Sequence, residues 1–496
     1  MSDPSLDDVL ELALRRTREM GAVYADVRLQ DRRLTLMSLT SRRSGPGQPP
    51  RESWEVSRHA QRGLGVRVIG PEGGEGFSAA TDLSRAGLAR VVSEAMAGAA
   101  SASRRTGRAA GGPAAASRAP GGFLLGPPVA GVAKVATPRK VHPEDVGVDE
   151  KRDFLRTYAS EAYCRPETSM VSLAYADSSG TDVFASSEGS RVETDSARVV
   201  LHSTVEAERA GDVFDTIESL GGVGGLELLA EPAVKDLAGR LASRAADWLG
   251  AGAPPGGEMT AILDNQSCEN FVHEAVGHSC EADAVEAGAS VMAGKLGVEV
   301  GAPGVTVVDD PGRAGTVGMF LYDDEGVKAQ RVTLIEDGVL KGYLHTRQTA
   351  AAMGVPPNGH ARARDFGHLP IVRMGTISLE AGDHDFDELL EGVGDGIYLM
   401  GKRGGQVDPA RGVFQFRPDR ARLIQGGELG PPVRAPSLSG SILDILRNMD
   451  AIGDDLCFHP GGCGKGFPLQ VIPAGSGSPH VRIRRATIGG EGGRGR

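Results

Sequence analysis

The sequence predicts an α+β protein: an N-terminal α/β domain of mixed sheet and helices over residues 1–250, then a β-rich, antiparallel C-terminal domain over residues 257–490. Three observations carry this. At 496 residues the chain exceeds what one ordinary hydrophobic core holds. Its first half mixes helical apolar periodicity with strand-like alternation, whereas the second reads as short strands punctuated by Gly and Pro. Between them Ala251-Gly252-Ala253-Pro254-Pro255-Gly256-Gly257 can continue neither a helix nor a strand.

Taken in order, Ser2 or Asp3 before Pro4 reads as a helix cap, and Val9, Leu10, Leu12 and Ala13 continue at helical spacing toward Gly21. Residues 25–29, 34–39 and 63–70 alternate as strands, and residues 82–96 return to a helix. The glycines of 63–70 bound a strand and open no helix, so they make no dinucleotide loop. From about 97 to 142 Ala, Gly, Ser, Pro and Arg dominate, with breakers at Gly111-Gly112-Pro113 and Gly126-Pro127-Pro128, and the reading there is a flexible insertion. A helix follows at 151–164, strands at 171–175, 183–185, 191–193 and 198–205, and a long helix at 228–249. Beyond the boundary, 258–263 is a strand leading into a helix, and 306–308, 332–335, 343–345 and 481–483 are further short strands.

Composition narrows the function. The balance of 54 basic and 65 acidic residues, a net charge of −11, opposes a nucleic-acid surface. Five cysteines at irregular spacing oppose a disulfide framework. No apolar run approaches membrane-spanning length, and the opening residues lack the basic and apolar regions of a secretory signal, so the expectation is a soluble, cytoplasmic protein with no membrane or nucleic-acid partner.

The chemistry concentrates in the helix after residue 263. His273-Glu274-Ala275-Val276-Gly277-His278 places two imidazoles, the commonest metal ligands, around a carboxylate able to take a proton from an attacking water. The spacing is one residue longer than the usual zincin motif. Side chains four apart on a helix differ by about 40° and five apart by about 140°. A shared metal therefore requires a π-bulge, kink or helix end, for which Gly277 is the natural place. Glu281 then joins the same face, either as a further ligand or as the acceptor that orients a ligating imidazole.

Two histidines leave a catalytic zinc short of a protein ligand. Cys463, in the Gly-rich run 460–466 beside Lys465, whose charge favours a thiolate, is the best candidate for the third; Cys457 and Cys280 compete with it.

These stretches resemble the TldD/PmbA family of zinc metallopeptidases, nearer to the TldD type. The resemblance rests on Arg62-Gly63-Leu64-Gly65-Val66-Arg67, on His273 to His278 with Glu281-Ala282-Asp283, and on Val307-Val308-Asp309-Asp310. It continues through Asp323-Asp324-Glu325-Gly326, Gly404-Gly405-Gln406-Val407-Asp408 and Cys463-Gly464-Lys465. It implies that His273, His278 and Cys463 bind Zn2+, that Glu274 is the catalytic acid/base, and that short or unfolded peptides are the substrates. It also implies a homodimer or a heterodimer with a PmbA/TldE-type paralogue. The chain departs from many relatives at Gly466-Phe467-Pro468 and Gly375-Thr376, where the substrate cleft is the feature most exposed to change. Two rivals remain: a non-catalytic peptide-binding or assembly subunit, and a metal-free cysteine hydrolase using Cys463 with His459 or His480.

Overall fold

The computed structural model describes residues 5–45, 48–108, 125–126, 131–230 and 232–489. The expected cap at Ser2 or Asp3 lies outside them, and Ser5 caps the first helix instead, its Oγ accepting from the Asp8 amide at 3.2 Å.

The N-terminal half is built on one seven-stranded sheet. Its elements are α1 (Leu6–Glu19), β1 (Tyr24–Arg42), β2 (Arg51–Ile69), β3 (Glu75–Ala80), α2 (Arg85–Arg108), β4 (Val132–Ala136) and α3 (Val148–Glu161). They continue with β5 (Thr168–Ser186), β6 (Arg191–Arg209), β7 (Asp212–Val223) and α4 (Pro232–Asp247). The strand order is β3-β2-β1-β5-β6-β4, with β7 also on β6, and every pairing except β4 with β6 is antiparallel. Two helix pairs cover the sheet. Val9, Leu10, Leu88, Val91 and Ala95 of α1 and α2 pack on Val27, Leu29, Leu64 and Val66. Leu155, Tyr158, Leu237 and Leu241 of α3 and α4 pack on Leu39, Leu173, Val199 and Leu201.

Several expected strands merge. Residues 25–29 and 34–39 belong to the single strand β1, 171–175 and 183–185 to β5, and 191–193 and 198–205 to β6. The polar interruption in β1 is satisfied across the ladder: Arg32 Nε lies 2.8 Å from Asp182 Oδ1 on β5, so the strand continues through a stretch whose composition reads as a break. Two parts of the expected insertion are regular structure, because α2 extends to Arg108 and β4 pairs along β6. An Ala-rich segment favours a helix once it has a surface to pack on. Residues 109–124 and 127–130 of that insertion lie outside the described ones.

The expected boundary at 251–257 falls between α4 and β8 (Gly257–Leu263). The C-terminal half holds two large sheets. One has nine strands and includes β8; the other has six, in the order Val339–Leu340, Val332–Glu336, Val307–Asp309, Thr376–Leu379, Gln470–Ser478, Cys457–Lys465. Each contains one parallel pairing, β8 with Gly396–Met400 and Thr376–Leu379 with Gln470–Ser478, and is otherwise antiparallel. Residues 343–345 form no strand. Leu344 makes an isolated bridge to Glu281, and the His345 amide goes to Asn358 Oδ1 at 2.8 Å.

The two halves interlock through the motifs the sequence singles out. Gly63 and Gly65 give β2 a bare surface on which Phe366 rests: a Cβ on Gly65 would stand 2.1 Å from the Phe366 carbonyl oxygen. Two residues on, Arg67 reaches Glu325 at 2.6 Å, both groups being buried.

Candidate metal centre

The site grows from the end of β8. Asp264 caps the helix α5 (Asn265–Phe271), accepting from the Ser267 amide at 2.8 Å, and ties that helix to the neighbouring strand by accepting from the Gly401 amide at 2.8 Å. The helix then runs between the two sheets. Phe271, Val272, Ala275 and Val276 share one buried cluster with Leu263 and Leu399 of one sheet and Val307, Ile377 and Ile472 of the other.

Past Phe271 the winding changes. Val272–Gly277 is a π-helical turn, and the His278 amide donates to the His273 carbonyl, five residues back. This is the irregularity that the His-Glu-x-x-x-His spacing demands. Gly277 ends the turn against Met374 and Ile377, where an added Cβ would stand 2.1 Å from Met374 Sδ. The extra residue per turn brings the His273 and His278 rings to a centroid distance of 5.6 Å, edge to face.

Cys463 reaches them from the outer strand of the six-stranded sheet. Ligand atoms of His273, His278 and Cys463 lie within 4.8 Å of one another, and Cys463 Sγ is 3.4 Å from His278 Nε2. The competing thiols lie elsewhere: Cys280, like Cys268, is sealed in the core, where burial pushes both up to about 12. Cys457 sits beside His459. His480 pairs with Asp455 and Tyr398, so neither His459 nor His480 is the partner of Cys463.

The surroundings suit a metal. His273 Nε2 is buried and, among the described residues, its polar neighbours are the Cys463 thiol and the second imidazole, which leaves its lone pair free for a metal. Burial pushes the Cys463 thiol up, but the imidazoles of His273 and His278 outweigh it and bring the group down to about 5, a thiolate at neutral pH. Burial pulls His278 down, but the Glu281 carboxylate, followed by Cys463, holds it well above its ordinary value. Two imidazoles and one thiolate form a zinc donor set with room for a further ligand.

Glu281 takes the orienting role. Its Oε2 stands 2.8 Å from His278 Nδ1, which fixes that nitrogen as the protonated one and turns Nε2 toward Cys463. Burial pushes Glu281 up, yet His278 and Lys465 outweigh it and bring the carboxyl down to about 2. Lys465 is placed differently from expectation. Its ammonium lies 3.1 Å from Glu281 and 2.6 Å from Asp283, so it steadies the carboxylate behind His278, and the groups that favour the Cys463 thiolate are the two histidines. Glu274 is one-third exposed, with Oε2 3.8 Å from His278 Nε2, at the open side of the cluster.

Sequence reasoning missed Arg373. Fully buried, it donates to the Cys463 carbonyl and, at 3.0 Å, to the Gln470 carbonyl, pinning the strand that delivers the thiol. The available signal was an arginine set between Val372 and Met374 in an apolar stretch.

A donor set of this kind beside a partly exposed carboxylate is that of a metal-dependent hydrolase. Comparison with known proteins then places the chain. The PmbA/TldA metallopeptidase C-terminal domain matches residues 256–490, the central domain 141–248 and domain 1 residues 55–99. A metalloprotease of Methanothermobacter thermautotrophicus is 40% identical over 348 residues, 70% of this chain and 76% of that one. A protein of Saccharolobus solfataricus named zinc metalloprotease TldD homolog is 28% identical, over 69% of this chain and 76% of its own. The crystal structure of TldE from Thermococcus kodakarensis superposes with a TM-score of 0.71 at 16% identity, covering 97% of this chain and 100% of that one, a likeness of fold. The chain belongs to the PmbA/TldD metallopeptidase family.

Proposed function

We propose that this protein is a zinc-dependent peptidase of short or unfolded peptides, with His273, His278 and Cys463 as the metal ligands and Glu274 as the general base. The observation that carries this reading is the meeting of those three donors around a buried imidazole nitrogen that has no other partner among the described residues. Zinc bound there would polarise the scissile carbonyl and acidify water. Glu274 would take the water's proton and deliver it to the leaving amine, a transfer its position at the open side of the cluster allows. Glu281 and Lys465 hold His278 in the ligating tautomer throughout.

The sheet edge supports this substrate form. Cys457–Lys465 is the outer strand of the six-stranded sheet, and among the described residues its ladder pairs it with Gln470–Ser478 alone. An extended peptide laid along such an edge is held by its main chain, with weak dependence on side-chain identity. A folded protein would first have to give up part of a stability of about 5–15 kcal/mol. The assembly we expect is a dimer, with a second copy or a PmbA/TldE-type paralogue, working in the cytoplasm. Among the described residues no helix is long and apolar enough to cross a membrane.

The test is metal content together with chelator-sensitive cleavage of an unstructured peptide. One zinc per chain is expected, lost on His273→Ala, His278→Ala or Cys463→Ala and kept in Cys280→Ala. Cleavage that survives complete metal removal would reject the reading.

A further inference from the structure

The helix and strand that bring the metal donors together also carry a second cluster. Four residues before His273, Glu269 is fully buried, and four residues before Cys463, His459 turns its Nδ1 to Glu269 Oε2 at 2.8 Å. Lys402 Nζ holds the other carboxylate oxygen at 2.6 Å. On the far side of the imidazole, His459 Nε2 stands 3.9 Å from Cys457 Sγ, and Cys457 is exposed. The thiol and the carboxylate lie on opposite edges of one ring, so no single ion could touch both through that histidine. The arrangement is instead a relay in which a buried carboxylate orients an imidazole that faces a thiol, the layout of an activated nucleophile. The peptidase chemistry uses none of it.

We propose that Cys457 is a reactive thiol, activated by His459 and Glu269, that undergoes exchange with small disulfides. Beside the His459 imidazolium, which stabilises the negative sulfur, Cys457 gives its proton to solvent, and the thiolate attacks one sulfur of the disulfide. The new bond from Cys457 Sγ forms as the S–S bond breaks, and the displaced half leaves with the electron pair as a thiolate. Cys457 ends oxidised as a mixed disulfide and the departing half is reduced; a small thiol reverses the step. Exchange needs a thiolate and access: the imidazole against Cys457 favours the first, and the exposed position supplies the second. Charge supports the pairing: burial pulls His459 down, but Glu269, and after it Cys457, lift it to about 10. The other thiols supply the contrast. Cys268 and Cys280 are sealed in the core, and Cys164, the other exposed one, has no imidazole against it among the described residues.

The experiment treats the zinc-loaded full chain with an aromatic disulfide whose released thiolate absorbs light, and maps the modified residue by peptide mass. Cys457 is expected to react about tenfold faster than Cys164, and His459→Asn to bring it down to the Cys164 rate. Equal rates at Cys457 and Cys164 in the unaltered chain, or an unchanged Cys457 rate in a folded His459→Asn, would overturn the proposal. The comparison of two thiols within one chain needs no variant, so it decides the matter even where the substitution fails to fold.

Discussion

The long sheet of the N-terminal half and the helix between the C-terminal sheets solve opposite problems. β1, β5 and β6 each run for 19 residues in near-continuous register, and even their polar interruptions are paired across the ladder. The segment after Phe271 passes from α to π to 3-10 winding within ten residues, and there the metal donors gather. Regularity buries area and holds a shape, whereas irregular winding aims side chains that a uniform helix would point apart. The first half should therefore govern whether the protein is folded, and the second whether it is active.

The largest effect separating these roles is expected at Glu274. Glu274→Gln keeps the shape but cannot accept a proton, so zinc should stay and turnover fall by at least about 10²-fold. Near-normal turnover with zinc bound would remove Glu274 from the chemistry. Next comes Glu281→Gln, which weakens the orientation of His278 and should lower zinc affinity by about 10- to 100-fold without unfolding the chain. Competition with a chelator of known affinity would measure it, and an unchanged affinity would reduce Glu281 to packing.

Leu173→Ala probes the other region. Leu173 is fully buried among the residues under α3 and α4, and its truncation should cost about 2–5 kcal/mol in denaturant unfolding. The molecules still folded should keep their zinc and their turnover; loss of zinc at full folding would break the division between the regions.

A smaller, pH-dependent effect is expected at Asp26 on β1. It is buried, and the Arg67 guanidinium lies 3.9 Å away. Burial, against the pull of Arg67, pushes its pKa from 3.8 up to about 6. The folded state therefore takes up this proton before the unfolded one does. The group's contribution to stability is best below about pH 4 and is lost as pH rises through about 6. Asp26→Asn should raise the unfolding midpoint near pH 7.5 and change it little near pH 4, and equal shifts at both values would contradict the assignment.

What was legible in the sequence follows the range of the interactions. The His-Glu-x-x-x-His spacing and helix geometry together called for a bulge near Gly277, since both turn on neighbours within six residues. Cys463 was one thiol among three, because it meets His278 across 185 positions and its helix partner is visible only when both sheets are in place. Arg67 and Glu325 stood out as motif residues, yet their pairing across 258 positions was not readable. Strand lengths were cut short wherever a polar residue broke the alternation, because Asp182, the partner that satisfies Arg32, belongs to another strand. Residues 343–345 looked like a strand and are not one, their backbone being claimed by Cys280 and Asn358.

Zinc held by two imidazoles and one thiolate from distant parts of the chain is open to direct measurement. X-ray absorption at the zinc edge of the purified protein reads that donor set directly. One sulfur at about 2.3 Å and two imidazole nitrogens at about 2.0–2.1 Å are expected, with the sulfur signal absent from any zinc retained by Cys463→Ser. A zinc spectrum with no sulfur in the unaltered chain, or with its sulfur intact in Cys463→Ser, would contradict it.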